Sequence, residues 1–184
     1  MKDKGQAVTA VDIPLDCRLN GIYGAEDLRD AFSIDLPEGT VSDPELLARF
    51  LFENQPRWIV SLMKFRDLIA AVFGLKTAKQ LKALDRYQPK DRIHIFKIYE
   101  SHNDEVILGE NDEHLDFRLS ISYRPDSGNA ERPPRLIVST VVQCHNCLGR
   151  IYIWLIAPFH RQVVRSVLRR AARIGWPQRD GPAR

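Results

Sequence analysis

The sequence predicts a single α+β domain in which a curved antiparallel sheet of about six or seven strands encloses a long C-terminal helix. Three observations support this prediction. Apolar and polar residues alternate with a period of two over much of the segment 92–156, as is typical of strands. Helix-start signals stand at 42–45, ahead of those strands. The segment after Pro158 carries an apolar stripe at helical spacing.

Length and composition are those of an ordinary globular protein. The chain has 184 residues, of which 44% are hydrophobic and 28% charged, and a chain of this size buries about 70% of its unfolded surface. No apolar run approaches the ~20 residues of a spanning helix, and the N-terminus lacks a secretory signal. The odd number of cysteines, Cys17, Cys144 and Cys147, suits a reducing compartment. We therefore expect a cytoplasmic protein that needs no metal or disulfide.

The chain is expected to divide into three parts. Residues 1–29 form an N-terminal extension, residues 30–175 the domain, and residues 176–184 a flexible tail. Within the extension, Val8–Ile13 predicts a short strand.

A strand and two helices are predicted to open the domain. The strand covers 30–37, where apolar residues alternate with polar ones. Asp43 as the cap and Pro44 at the first helical position begin a helix. Its predicted apolar face consists of Leu46, Leu47, Phe50 and Leu51. Pro56 breaks the pattern, and a second helix is predicted from Trp58 to Gly74. The segment 75–91 fits either a helical turn or a connection.

A meander of strands is predicted next. Its members are Arg92–Ile98, Glu105–Glu110, His114–Tyr123, Arg135–Cys144 and Gly149–Ile156. In the third of them, Leu115, Phe117, Leu119, Ile121 and Tyr123 share one face, which predicts a core-facing side and a solvent-facing side. The loop between 125 and 134 is rich in turn residues.

The last predicted element is a helix that opens at Pro158 and ends at Gly175. Its apolar stripe consists of Phe159, Val163, Val167, Ala171 and Ile174. Arginines occupy the rest of its surface, and seven lie between Arg161 and Arg184. Seven acids and no Lys or Arg lie between Glu100 and Asp116. Both charged segments are interpreted as solvated surface, with attraction of acidic partners to the arginines kept as an alternative.

This order of elements resembles the START-like superfamily, also called polyketide-cyclase-like, SRPBCC or Bet v-type, over residues 30–175. The motifs Asp30-Ala-Phe, Gln55-Pro56-Arg57-Trp58, Gly149-Arg150-Ile-Tyr152 and Pro158-Phe159-His160-Arg161 are similar to those of a bacterial family known only as a domain of unknown function. The resemblance implies a helix-grip fold and a cavity between sheet and helix. It implies no catalytic residues.

The string Cys144-His145-Asn146-Cys147 is the most conspicuous local motif. A Cys-x-x-Cys pair can bind zinc or exchange disulfides, but no second Cys/His pair stands at a suitable spacing. We interpret the two cysteines as small buried residues that flank a hairpin, with metal or redox use as the alternative. The acids of 100–116 do not match a calcium loop, so no metal site and no cofactor are predicted.

Candidate site residues are aromatic and polar side chains on elements that could line the interior. They are Trp58, Arg66, Tyr99, Tyr123, His145, Arg150, Tyr152, Trp154 and His160. Arg66 and Arg150 are candidates for holding a ligand carboxylate.

Three functions stay open. The first is binding of a small apolar or amphipathic molecule, and no nucleic acid partner is expected. The second is an enzyme of the cyclase or hydratase type that uses a buried His or acid, with His145, Arg150 and Tyr152 as first candidates. The third is an interaction module that uses the arginine-rich helix.

Overall fold

The computed structural model describes residues 7–56, 58–59, 62, 91–125 and 133–179. Within these ranges the chain forms seven strands and two helices with described bounds, and Trp58, Ile59 and Leu62 are also helical. The strands and the two helices are β1 (Thr9–Val11), β2 (Leu28–Asp35), α1 (Pro44–Glu53), β3 (Arg92–Ile93), β4 (Phe96–Ser101), β5 (Glu105–Asn111), β6 (Leu115–Arg124), β7 (Arg135–Cys144) and α2 (Cys147–Ile174). The predicted α+β class with an antiparallel sheet and a C-terminal helix is confirmed.

All seven strands belong to one antiparallel sheet in the order β1-β2-β7-β6-β5-β4-β3. Strands β3 to β7 form a meander in chain order. Strand β2 then pairs with β7 along its whole length, from Leu28 opposite Val142 to Asp35 opposite Arg135. Strand β2, the second in chain order, is thus joined to β7, the last described strand. Helix α2 contacts both of these strands.

Helix α1 begins as predicted. The Asp43 side chain accepts hydrogen bonds from the backbone N–H groups of Glu45 and Leu46, at 2.8 and 3.3 Å, and Pro44 follows it. Leu47 and Leu51 are buried as expected. Leu46 is half exposed, so its assignment to the apolar face is wrong.

The predicted strand Arg92–Ile98 is interrupted by a tight turn. Strands β3 and β4 pair through Arg92 with Lys97 and Ile93 with Phe96, which leaves only two residues between them. The first of these, His94, has a φ of 56°, a left-handed conformation that uniform alternation of apolar residues does not reveal.

The predicted strand Gly149–Ile156, and the predicted helix start at Pro158, are wrong. Helix α2 already begins at Cys147, because the side chain of Asn146 caps it by accepting a hydrogen bond from Gly149 N at 3.0 Å. The segment 151–156 is apolar throughout, so it satisfies both the strand period and the helix period. Pro158 lies inside the helix, where it removes only one backbone donor, the one for the Trp154 carbonyl.

The sheet face toward α2 is here called the inner face. It includes the five residues of β6 that were predicted to share the core side, together with alternate residues of β2, β5 and β7. Helix α1 also packs on this side, through Leu47 and Leu51. The prediction of a core-facing side for β6 is confirmed.

The sequence predicted that the opposite face, here called the outer face, is exposed to solvent. This prediction is wrong. Ser120 and Ser122 of β6 are 0% and 1% exposed. The N-terminal segment folds across this face and buries Ile13, Cys17 and Leu19 against Ile107, Ile137 and Val141. Small hydroxyl side chains on β6 leave room for that layer, which apolar periodicity alone does not signal.

Packing continues past the predicted domain end at residue 175. Trp176 is buried, and Arg179 N donates a hydrogen bond to Gly39 O at 2.8 Å. The predicted helix 58–74, apart from residues 58, 59 and 62, lies outside the described residues, as do most of 75–91 and the loop 126–132. Neither helix in the described part of the chain is long and apolar enough to cross a membrane.

Candidate ligand-binding cavity

A cavity of about 340 Å³ lies between α2 and the inner face of the sheet. Its walls are mainly apolar. From the sheet they include Leu115, Phe117, Leu119, Ile121, Val138 and Val142, and from α2 they include Ile153, Ile156, Ala157, Val163, Val164 and Val167. Leu51, Phe52 and Ile59 add apolar surface from the segment that contains α1.

The cavity exists because α2 buries its apolar side chains against the sheet only near its two ends. At the first end, Tyr152 and Ile153 are buried in a cluster with Leu28. At the second end, Leu168 and Ala171 are buried in the main core. The cavity-facing residues between these ends are only half-buried. The helix therefore bridges a space that its own side chains do not fill.

Three polar residues, from β7, β2 and α2, lie in or beside one wall of the cavity. Thr140 of β7 is 5% exposed, and its Oγ1 has no hydrogen-bond partner among the described residues. Asp30 of β2 stands directly opposite Thr140 in the sheet register. His160 of α2 lines the cavity, and its Nε2 lies 3.2 Å from Oδ1 of Asp30. Thr140 and His160 are thus two polar residues in an otherwise apolar wall.

The environment of Asp30 explains how its carboxylate is tolerated there. Its side chain is 10% exposed. His160 Nε2 lies within hydrogen-bond distance of Oδ1. Arg161 Nε lies 3.6 Å from Oδ2, an ion-pair distance, and Oδ2 has no hydrogen-bond partner among the described residues. A buried carboxylate requires such partners, since an isolated one would lose most of its hydration without compensation. Asp30 therefore anchors the middle of α2 to the sheet.

A second polar region lines the cavity near β3 and β5. Glu110 pairs with Arg92, whose Nη2 lies 2.7 Å from Oε2 of Glu110. Arg92 also donates to the carbonyl of Ile95. The other polar lining residues in this region are Gln55, His94 and Asp112.

Of the nine residues predicted from sequence to contact a ligand, Tyr152 and His160 line the cavity. Tyr152 is buried at the first end of α2. Trp58 is 43% exposed and is not part of the cavity wall, although its neighbour Ile59 is. Arg66 lies outside the described residues.

Two of the predicted tyrosines serve packing elsewhere. Tyr99 lies at the outer face, where the guanidinium of Arg118 stacks 3.6 Å from its ring centroid. Burial raises the pKa of Tyr99, and the nearby Arg118 opposes that shift. Tyr123 is buried in the main core, and its hydroxyl oxygen lies 3.4 Å from Nη2 of Arg179.

His145, Arg150 and Trp154 are exposed and do not line the cavity. Nε2 of His145 lies 3.3 Å from Oδ2 of Asp116, and Nε of Arg150 lies 3.2 Å from Oδ1 of Asp27. Trp154 is 78% exposed. The enzyme hypothesis drawn from the sequence placed His145, Arg150 and Tyr152 together at one cavity. Of these three residues, only Tyr152 lines the cavity.

Cys144 and Cys147 flank the junction between β7 and α2 and not a hairpin. Cys144 is buried, whereas Cys147 is exposed, so the expectation that both are buried is wrong for Cys147. Burial, together with the nearby carboxylate of Asp27, raises the pKa of the Cys144 thiol to about 12. Cys144 is therefore a protonated thiol near neutral pH. Among the described residues, no group of three or more His, Cys, Asp and Glu side chains could hold a metal ion.

Several arginines of α2 contact other parts of the domain. Arg165 lies 5.1 Å from the ring centroid of Phe32, and Arg170 Nε donates to Asn54 O at 2.9 Å. With the contact of Arg161 to Asp30, these side chains help to hold α2 in place. They are not simply a solvated surface.

Sequence reasoning missed Thr140 and Asp30. The available signal was a polar residue in the apolar register of each strand. Thr140 interrupts the series Leu136, Val138 and Val142, and Asp30 interrupts the series Leu28, Phe32 and Ile34. Such an interruption at the centre of a buried face marks a polar group that must find a partner.

Fold and cavity together define an α+β domain with one antiparallel sheet and an apolar cavity beneath its C-terminal helix. A family model described as "Protein of unknown function (DUF2867)" matches residues 22–167, and the chain belongs to this family. Neither the curated proteins nor the solved structures include a match to the chain.

Proposed function

We propose that the protein binds a small apolar or amphipathic molecule in the cavity between α2 and the sheet. The observation that carries the proposal is the 340 Å³ space with predominantly apolar walls. Ligand sites in proteins are typically concave, mostly apolar and about 300 to 1,000 Å³ in volume. The cavity lies at the lower end of this range, which favours a molecule with few heavy atoms.

The energetics of an empty apolar space support the same proposal. Protein interiors are close-packed, and residual cavity volume lowers stability. Closing this space would require only a few larger side chains, for example at Ala157 or Val163, yet small residues occupy these positions. An apolar occupant would restore the missing contacts and stabilise the folded state.

The order of elements adds support. A strand, a helix, a meander of antiparallel strands and a long helix across the sheet resemble the helix-grip arrangement of the START-like superfamily. In that arrangement an internal cavity lies between helix and sheet. We propose that this chain uses the same arrangement, with the N-terminal segment as an additional layer on the outer face.

Native mass spectrometry of freshly purified protein tests the proposal. We expect an additional mass of a small molecule that disappears when the protein is denatured in organic solvent. The complementary experiment is titration with the neutral apolar fluorophore N-phenylnaphthylamine, whose emission rises in an apolar site. A bare polypeptide mass together with no fluorescence change would contradict ligand binding.

A second candidate function is proton transfer on a bound molecule, and the pair of His160 and Asp30 favours it. When Nε2 of His160 carries the proton that it donates to Asp30, Nδ1 keeps a lone pair and can act as a base. The pair therefore supplies a general base, His160, and a carboxylate that positions it, Asp30.

Deuterium exchange tests this second candidate. A ligand that co-purifies with the protein would be incubated with catalytic amounts of it in D₂O. Incorporation of deuterium at a carbon position, lost on His160→Asn but kept on His145→Asn, would support general base catalysis by His160. Equal incorporation with and without protein would contradict it.

A further inference from the structure

The outward side of α2 is apolar in its first half and basic in its second half. Five large apolar side chains of the first half are 36% to 78% exposed, and they are here called the apolar patch: Leu148, Ile151, Trp154, Leu155 and Phe159. Spacings of three and four residues make them neighbours on one side of the helix. The exposed residues Arg161, Arg169 and Arg173 follow in the second half.

We propose that the apolar patch is the interface of a homodimer. A second copy of the chain packs antiparallel against the first through this patch. The arginine end of each α2 then lies beside the β5–β6 turn (112–114) of the other copy. Association through this surface requires no ligand in the cavity.

The size and composition of the surface favour a protein partner. The exposed fractions of the patch correspond to on the order of 500 Å² of apolar surface, near the upper end for single patches on monomers. A standard interface buries about 800 Å² per partner, so the patch together with its flanking arginines approaches that area. Interfaces are enriched in Trp, Phe and Arg and depleted in Lys, Asp and Glu. Helix α2 contains none of these three depleted residue types.

An acidic turn lies at the other end of the patch. His145 N donates a hydrogen bond to His114 O at 2.8 Å, which holds the β5–β6 turn beside the start of α2. Glu113 in this turn is exposed. Arg150, on the first turn of α2, lies 3.2 Å from Asp27, so its charge is already matched within the chain. The patch therefore has a negative side chain beyond one end and arginines beyond the other.

A two-fold axis near Trp154 brings these opposite charges together. An isologous interface repeats every contact, so its surface must complement itself. Cys147 and Arg161 lie seven residues on either side of Trp154, each about 10 Å away along the helix axis. In an antiparallel pair, Arg161 of one copy stands level with Cys147 of the other and close to Glu113. Arg161 also contacts Asp30, at 3.6 Å, but its side chain is still 54% exposed.

An anionic membrane fits the same surface less well. Trp, Leu and Arg side chains also suit a membrane interface. Anionic lipids, however, would repel Glu113 at the first end of the patch. A second copy uses the charges at both ends.

Sedimentation equilibrium of the full chain between about 1 and 200 µM tests the proposal. We expect the average mass to rise with concentration from that of one chain, 21.1 kDa, toward that of two. Ile151→Glu places a charge in the patch and should weaken dimerisation by at least about tenfold. Leu15→Glu, at a fully exposed position of the N-terminal segment, is the matched control and should leave dimerisation unchanged. Circular dichroism would establish that both variants are folded.

Charge reversal at Glu113 tests the antiparallel arrangement. Glu113→Lys should weaken dimerisation by at least about threefold, because each dimer contains the contact with the arginine end twice. High salt should reduce this difference from the wild type. Asp12→Lys makes the same change at an exposed position of the N-terminal segment and should have no effect. Equal dimerisation of the two lysine variants would overturn the arrangement.

Three other results would overturn the homodimer itself. The first is a protein that stays monomeric at 200 µM, or an Ile151→Glu variant that dimerises as the wild type does. The second is monomeric protein that sediments with vesicles of phosphatidylserine and phosphatidylcholine but not with phosphatidylcholine alone, which would assign the patch to a membrane. The third is weak acrylamide quenching, in the monomer, of the emission that Trp154→Phe removes, which would show that the patch is covered within one chain.

Discussion

Cys17 Sγ donates a hydrogen bond to Oε1 of Glu105 at 3.1 Å, across 88 residues of sequence. Glu105 begins β5 and is 0% exposed. Its other oxygen accepts hydrogen bonds from Arg18, at 3.2 Å from the backbone N and 2.9 Å from Nη1. Ser120 donates to Glu105 as well. One buried carboxylate therefore ties the N-terminal segment to the outer face of the sheet.

Stability should depend on pH through Glu105. Burial alone would raise its pKa, but hydrogen bonds from Ser120, Cys17 and Arg18 bring it below its ordinary value. Ionised Glu105 therefore adds to the free energy of unfolding. This stabilisation is fully present above the pKa of a glutamate in the unfolded chain, about 4.3, and is lost as the pH falls through the lower pKa of the folded state.

Glu105→Gln should therefore lower the free energy of unfolding at pH 7 by about 2 kcal/mol and flatten its decline below pH ~5. Urea denaturation at several pH values measures both effects. Glu113→Gln, at an exposed position on the neighbouring hairpin, is the control. A loss of stability that is equal for the two variants would show that Glu105 has no special role.

Burial of the N-terminal segment can be tested with two leucines that lie four positions apart. Leu19 is 0% exposed and Leu15 is 99% exposed. Leu19→Ala should lower the free energy of unfolding by about 3 kcal/mol, because it removes packed volume from the outer-face cluster. Leu15→Ala should change it by less than about 0.5 kcal/mol. Similar small effects from both would mean that the N-terminal segment does not pack on the sheet.

Gly149 should be intolerant of alanine although it lies in a helix. A Cβ at this position would stand 2.3 Å from the carbonyl oxygen of His114, a backbone atom that cannot move aside cheaply. A change from Gly to Ala in a helix normally adds up to about 1 kcal/mol of stability. Because of this close contact, we expect Gly149→Ala to lower stability instead.

Thermal unfolding of Gly149→Ala and Gly24→Ala measures this effect. A Cβ on Gly24 would have nothing within 4 Å of it, and that variant should unfold near the wild-type temperature. Gly149→Ala should unfold at a clearly lower temperature. A higher temperature for Gly149→Ala would contradict the close contact of α2 with the β5–β6 side of the sheet.

Thiol reactivity should distinguish the three cysteines. Burial raises the pKa of Cys17 to about 11 and that of Cys144 to about 12, whereas Cys147 is exposed. Only Cys147 should react quickly with an alkylating reagent at pH 8, since the thiolate is the reactive form. Mass spectrometry should show one fast modification that Cys147→Ser abolishes. Fast modification of Cys144 in the folded protein would argue against the strand-to-helix junction described above.

Local signals predicted the fold where they were unambiguous. Asp43 and Pro44 marked the start of α1, and strict alternation marked β6. The prediction of a strand at 149–156 was wrong because these residues are apolar at nearly every position, which fits a strand and a helix equally. The capping side chain of Asn146 sets the start of the helix. Apolar periodicity could not reveal that a second layer covers the outer face.

The site was less predictable than the fold. His160 and Tyr152 were identified as aromatic or titratable side chains on a core-facing element. Thr140 was missed because threonine is common in strands, so its presence there does not indicate a binding site. The place of Thr140 in a cavity wall depends on the cavity, and the cavity depends on how far α2 stands from the sheet between its two buried ends. That distance is a property of tertiary packing.

The central claim, that a ligand occupies the space beneath α2, is tested most directly by filling that space. Ala157 lines the cavity, whereas Gln162 is exposed on the same helix. We predict that Ala157→Phe weakens binding of N-phenylnaphthylamine by at least about tenfold, while Gln162→Phe changes it by less than about twofold. Circular dichroism would establish that both variants are folded. A folded Ala157→Phe protein that binds the fluorophore as tightly as the wild type would contradict the claim.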